Sequence, residues 1–305
     1  MTTPAAPPPN VPWMQPKSGK QYALYMGILG ALLVGCVAAL VWFSMRVPPV
    51  PPVIQKSRNL LEEHKFDEAA ALLLPVIQEI EKTRGREDPT LVKHFDLLAQ
   101  IYEATGKYAE AEPLWRRSMA IRAKHLGSEH GEVIGSGDKL AMCLCAQKKF
   151  PEAEALLRKS LAHREKAFEG EETKIMPSLN RLAELYVASG RFAEAEASAR
   201  RAVGIASTTI GLQPASIADS KRWLGAALAG QGKAEDAIPF YDAALPLKKR
   251  QLPAAPHIPP KPGQISHAEF ADLLKEAAAV YRKAGKEKEA KDLEDQAELT
   301  LHPKP

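Results

Sequence analysis

Residues 91 to 249 align with themselves when the chain is written in rows of 42. Leu98-Ala99, Leu140-Ala141, Leu182-Ala183 and Leu224-Gly225 fall in register, followed by Tyr102, Leu144, Tyr186 and Leu228. After a break come Tyr108, Phe150, Phe192 and Ala234, then Ala111, Ala153, Ala195 and Ala237, then Ser118, Ser160, Ala202 and Ala244. A unit of this length cannot bury its apolar side alone and must stack on its neighbours, so the repeat restricts the chain to an array. Apolar residues recur at helical spacing within the unit and no strand alternation competes, which predicts a pair of helices per repeat.

Each residue type has a packing reason at its place. Small residues such as Ala99 and Ala111 let two antiparallel helices approach closely, while Tyr102, Tyr108 and Trp115 fill the space between one hairpin and the next. Gly106, Gly190 and Gly232 fall between the helices, where a left-handed residue ends the first. Lys148 occupies that place in one repeat. A non-glycine residue there costs on the order of 1 kcal/mol if it is left-handed, so a slightly different turn is expected.

The stretch LLAQIYEATGKYAEAEPLWRRSMAIRAKHLGSEHGEV, residues 97 to 133, resembles the 42-residue tetratricopeptide repeat of kinesin light chains and many bacterial proteins. It combines L-A-x-x-Y, G-K-Y-x-E-A-E, a basic-rich second helix and L-G-x-x-H in order. Upstream, Phe66, Glu68, Ala69 and Leu73 align with Tyr108, Glu110, Ala111 and Trp115, giving a first hairpin that begins near Val53. Downstream, Tyr281, Gly285, Ala290 and Ala297 recover the spacing after a proline-rich insertion, with Glu287 and Glu294 in the slots of Tyr108 and Trp115. A terminal repeat has no neighbour to cover, so a polar outer face is expected there. The resemblance implies an all-α, tetratricopeptide-like α-α superhelix, in which the chain supplies about six helical hairpins, and a transmembrane helix is expected before it.

That helix is read from residues 22–43, YALYMGILGALLVGCVAALVWF, which carry no charge and at about 1.5 Å per residue are long enough to cross a bilayer core. Tyr22, Tyr25, Trp42 and Phe43 place aromatic rings at headgroup level. A competing reading takes Leu33-Val34-Gly35-Cys36 as a lipobox with Cys36 lipidated, but Val37 to Phe43 continues apolar where a lipoprotein turns polar. Gly27, Ala31 and Gly35, with Ala23 and Ala39, recur at intervals of four and form a small-residue stripe that would permit a homodimer through this helix. Lys17 and Lys20 flank one end, against Arg46, Lys56 and Arg58 at the other. The two lysines before a first helix favour a single-pass protein with its array on the extracytoplasmic side. The organisation expected is a disordered proline-rich tail (1–21), the transmembrane helix (22–43), a proline-rich spacer (44–52), the repeat array (53–249), a proline-rich linker (250–266), a degenerate C-terminal repeat or cap (267–301) and a tail (302–305).

Charge removes one class of partner. Of the formal net charge of +4, Lys17, Lys20 and Arg46 account for three, and the remainder of the chain is nearly neutral. A nucleic-acid binder needs clustered cations to displace counterions, so nucleic acid is not expected. Three cysteines, one of them in the apolar run, offer no disulfide framework, and Cys143 and Cys145 two apart on a helix face different ways. His125 and His130 flank an inter-repeat turn, and no histidine stands in a zinc spacing. Gly135-Ser136-Gly137-Asp138-Lys139 partly matches a phosphate loop but lacks its full pattern and a preceding strand. Glu110-Ala111-Glu112, Glu152-Ala153-Glu154 and Glu194-Ala195-Glu196 recur at one phase of the repeat and read as acids favouring the positive end of each second helix. No catalytic constellation assembles, and neither an enzyme, a cofactor nor a metal is expected.

The resemblance implies instead a groove lined by the first helix of each hairpin, in which a protein or peptide partner lies. Positions beside the Leu-Ala pair select Asp96, Gln100, Asp138, Lys139, Asn180, Arg181, Glu184 and Arg222. In kinesin-light-chain-like repeats asparagines at this phase bind a peptide backbone, and Asn180 with Arg181 is the best match; the other repeats depart from asparagine. The expected function is a membrane-anchored scaffold or adaptor for protein-protein interaction. The alternative is a structural, self-associating component of a membrane or envelope complex.

Overall fold

The computed structural model describes residues 52–209, 212–256 and 264–302. Twelve helices pair into six hairpins, and no strand occurs among the described residues. The pairs are α1 (Pro52–Glu62) with α2 (Phe66–Arg84), α3 (Leu91–Ala104) with α4 (Tyr108–Leu126), and α5 (Gly131–Ala146) with α6 (Phe150–Ala167). Then follow α7 (Met176–Ala188) with α8 (Phe192–Thr208), α9 (Pro214–Gly230) with α10 (Ala234–Lys249), and α11 (His267–Lys283) with α12 (Glu287–Leu301). Hairpins stack in chain order as a solenoid, and from α3 onward each first helix packs on its own partner and on the preceding second helix. The apolar run 22–43, and with it Gly27, Ala31, Gly35 and Cys36, lies outside the described residues; among those described no helix is long and apolar enough to cross a membrane.

The core is a continuous seam of small and large side chains at the repeat phases. Ala99, Ala141, Ala183 and Ala278 on first helices, and Ala69, Ala111, Ala153, Ala195, Ala237 and Ala290 on second helices, are wholly buried. Trp115, Leu157 and Tyr241 fill the larger slot. Where Gly225 takes the place of the alanine, an added Cβ would stand 2.8 Å from the Tyr241 ring, so the glycine is matched to the bulk opposite it. Cys143 and Cys145 are buried free thiols, and burial pushes both up to about 11. The outer helix α12 buries only Ala290 and Ala297, and Glu287 and Glu294 pair with Arg282 at 3.3 and 2.9 Å, the polar face expected of a terminal repeat. After the insertion, Ser266 restarts the helical order through a capping box with Glu269.

Every hairpin turns through a left-handed residue. His64, Gly106, Lys148, Gly190, Gly232 and Gly285 all have φ between 59° and 82°. The next residue donates its N–H to a carbonyl five residues back, as Lys107 does to Tyr102 at 2.8 Å and Lys149 to Leu144 at 2.9 Å. The Lys148 turn is therefore no different from the others. Its helix–helix geometry is set by the packing on both sides, and the residue accepts the strain.

The acids of the E-A-E motifs divide by role. Glu110, Glu152 and Glu194 are exposed at the helix start, whereas Glu112, Glu154 and Glu196 are drawn onto the turn of the following hairpin. Lys149 Nζ reaches Glu112 at 2.6 Å, Arg191 reaches Glu154 at 2.5 Å, and Gln231 and Lys233 reach Glu196 at 2.7 and 3.7 Å. An arginine four residues on, Arg116, Arg158 or Arg200, grips each of the three. Lys149, with Arg116 and Gln147, pulls the Glu112 carboxyl down to about 2. These glutamates are interhairpin ties, a role beyond the helix-dipole one expected.

Two measurements test this account. Lys148→Gly relieves the left-handed strain without loss of a partner, and should raise the unfolding free energy by about 1 kcal/mol in denaturant melts. Because the Glu112 pKa is lower folded than unfolded, its contribution is present above pH 4.5 and is lost as pH falls toward 2. Thermal midpoints should drop over that window, and Glu112→Gln should lower the midpoint at pH 7 while flattening the acid decline.

Candidate partner-binding groove

The first helices carry three consecutive rows of side chains at the 42-residue phase along one face: Lys139, Arg181 and Trp223; Gln100, Met142 and Glu184; Glu103, Cys145 and Val187. Two adjoining cavities open on this face. One, of about 560 Å3, is lined from α5, α7, α9, α10 and α11 by residues including Met142, Asn180, Arg181, Glu184, Arg222 and Trp223, with Asp219, Lys248 and Asp272. The other, of about 510 Å3, runs along α3, α5, α7 and α9 past Glu103, Met142, Cys145, Glu184, Val187 and Trp223. Met142, Glu184 and Trp223 belong to both, so the cavities share a wall and form one groove.

Four of the expected residues, Asn180, Arg181, Glu184 and Arg222, are brought together in the first cavity. Two of them are already bonded within the array. Asn180 is buried, accepts from Ser220 Oγ at 2.8 Å and donates to the Ser216 carbonyl at 3.3 Å, which ties α7 to α9. Arg222 donates to Glu276 on α11 at 2.7 Å, and Glu276 also accepts from the Tyr241 hydroxyl at 2.6 Å. The Arg222 guanidinium stacks on Trp223 at 4.4 Å. Burial and the Glu276 charge push the Tyr241 phenol well above its ordinary range. Lys248, an unexpected lining residue, is held by Asp219 at 2.5 Å.

Outside the cavities, Asp96 pairs with Arg122 at 2.6 Å and the buried Asp138 with Arg164 at 2.7 Å. These are equivalent ties of a first helix to its own partner, one repeat apart, and neither carboxylate is presented to a ligand. Gln100 is exposed, and Lys139 lies over the Trp115 ring at 4.9 Å, close enough to stabilise the Glu103 charge. Trp115 Nε1 donates to Glu103 Oε1 at 2.8 Å, yet burial still holds the Glu103 carboxyl above the ordinary range. Burial likewise raises Glu184, against the pull of Arg222 and Arg181. Arg181 and Glu184 make no hydrogen bond or ion pair among the described residues. Missed from sequence were Met142, Trp223 and Glu103; the signal available was the apolar bulk of Met142 and Trp223 in the same rows as Gln100, Lys139, Arg181 and Glu184.

Family models for tetratricopeptide repeats match residues 94–132 and 135–208. The chain carries tetratricopeptide repeats. Its fold is similar to solved structures of that kind. The kinesin light chain TPR-like repeats of Podosopora anserina share 27% identity at a TM-score of 0.57, over 65% of this chain and 94% of that one. BtubC from P. vanneervenii shares 21% identity at a TM-score of 0.55, over 80% of this chain and 94% of that one. NprR, solved in complex with its cognate peptide NprX, shares 15% identity at a TM-score of 0.57, over 91% of this chain and 76% of that one. The last two likenesses are of fold alone. No curated protein matches the chain in sequence.

Arg181 and Arg222, alike in sequence, therefore stand in different mechanical positions on the tetratricopeptide array. Arg222→Glu sets a carboxylate against Glu276 and should cost about 3 kcal/mol, several degrees in melting temperature. Arg181→Glu breaks no pair and should leave the midpoint within about 2 °C, measured by calorimetry on the two variants side by side.

Proposed function

We propose that the protein is a non-catalytic scaffold that holds a protein or peptide segment in the groove of its tetratricopeptide array, and that residues 22–43 tie the array to a membrane. The observation that carries the groove reading is the set of uncommitted charges Arg181, Glu184 and Asp272 in a surface whose Asp219, Arg222 and Lys248 are held by internal bonds. Neighbouring charges have been used to build the array, and these three have not. Trp223 and Met142 around them supply apolar contact, the composition of a recognition surface with a few polar groups to set register. The likeness to a peptide-bound array supports the same use. The apolar, uncharged stretch 22–43 supports the membrane tie, with the array exported as the flanking lysines favour.

The test is affinity capture by the full chain in detergent from native extract, beside a variant carrying Arg181→Glu and Asp272→Lys, two groove positions without a partner in the array. The partner retained by the native chain should be depleted at least about ten-fold on the variant, with unchanged melting temperature. Equal retention places the interface elsewhere on the array. If sedimentation shows the native chain self-associating and the variant monomeric, the groove instead joins copies of the chain, and the adaptor reading falls.

A further inference from the structure

We propose that the groove selects a partner segment in which a lysine or arginine is flanked by apolar residues, the cation seated on Glu184. The inference rests on the groove reading above and names the chemistry of its occupant. Among the described residues, the only charged side chains lining the second cavity are two carboxylates, Glu103 and Glu184; the rest of its wall is apolar or uncharged. Glu103 already shares one oxygen with Trp115. Glu184 has no donor at all, although it is half-buried and stands in the wall common to both cavities.

The charged groups that face Glu184 are Arg181 on its own helix, Arg222 and Asp219 on α9, and Lys248 on α10. Arg222 is neutralised by Glu276 and Lys248 by Asp219. Arg181 is the remaining cation, and it lines the first cavity without lining the second. A carboxylate partly withdrawn from water without a donor in the array is unfavourable, and burial accordingly raises its pKa. An incoming guanidinium or ammonium supplies the missing donors, and such charge-assisted bonds are about twice as strong as neutral ones. The methylene stem of that side chain packs on Met142, Val187 and Trp223 while its head reaches the carboxylate. An acidic segment laid along the same cavity would meet two carboxylates and no cation.

A display library of random dodecapeptides, selected on the full chain in detergent micelles, supplies the probe. Lysine or arginine between apolar residues should be enriched. An end-blocked synthetic copy of the enriched peptide is then measured by fluorescence anisotropy, beside one with the basic residue replaced by citrulline or norleucine. Replacement should weaken binding at least about ten-fold, Glu184→Gln should cause the same loss with no added effect of the replacement, and affinity should fall as pH is lowered from 7 and the carboxylate takes up its proton. Should Glu184→Gln lower the melting temperature, the peptide substitutions and the pH series carry the test alone. Enrichment of acidic or purely apolar peptides, or affinity indifferent to both Glu184 and the basic residue, overturns this chemistry and leaves the groove reading standing if Arg181→Glu still abolishes binding. Enrichment of nothing, or peptides bound equally by Arg181→Glu and Glu184→Gln variants, overturns both.

Discussion

Close approach of two helices at one small residue on each is the constraint from which the structure follows. Alanine on a first helix and alanine on the second lie in a seam with no exposed area, repeated hairpin after hairpin. A larger side chain at either place would drive the helices apart, and interiors packed at crystal-like density do not absorb that. The Gly225 and Tyr241 pairing makes the same point from the other side, because bulk added on one helix is matched by its removal from the facing one. With the two helices held at that distance, the turn between them has a single solution. It recurs with a left-handed residue even where that residue is Lys148 or His64.

Once hairpins of fixed shape are stacked, charge decides how they stay in register. Each tie from a second-helix glutamate to the next hairpin's turn joins residues about one repeat apart, at surfaces that are partly shielded from water. Individually such pairs are modest, and their worth here comes from forming networks with a hydrogen-bonding amide or tyrosine and an arginine one turn on. The Asp96–Arg122 and Asp138–Arg164 pairs brace the hairpins internally. In the last three hairpins those residues give way to Asn180 with Ser220, and to Arg222 with Glu276, so that first helix bonds to first helix instead. The array changes its internal bonding where the first cavity opens.

Function on such a surface resides in what the scaffold leaves over. Most polar groups of the inner face are consumed by the array, and a ligand that competed for them would have to loosen the stack. Arg181 and Glu184 are free of that obligation, and Trp223 and Met142 offer area without requiring rearrangement. A partner can therefore bind by adding bonds rather than exchanging them, which keeps the cost of association to ordering the partner itself.

Residue types at the 42-residue phase determined the helices, their pairing, the six hairpins and the polar terminal face, because each is a local consequence of periodicity, small-residue placement and turn chemistry. Part of the inner face was also legible, since its residues recur at a few neighbouring phases of the repeat. What the sequence could not separate was Arg222 from Arg181, or Glu112 from Glu110, because the members of each pair are alike in type and stand at neighbouring positions of the repeat. Only the stacked structure tells them apart. The partners that claim Arg222 and Glu112 lie 54 and 37 residues away, on hairpins whose approach is set by packing, and in the case of Glu276 beyond an insertion that breaks the period. Whether a charge is free to meet a ligand depends on distances between repeats, and those exist only once the apolar seam has brought the helices together.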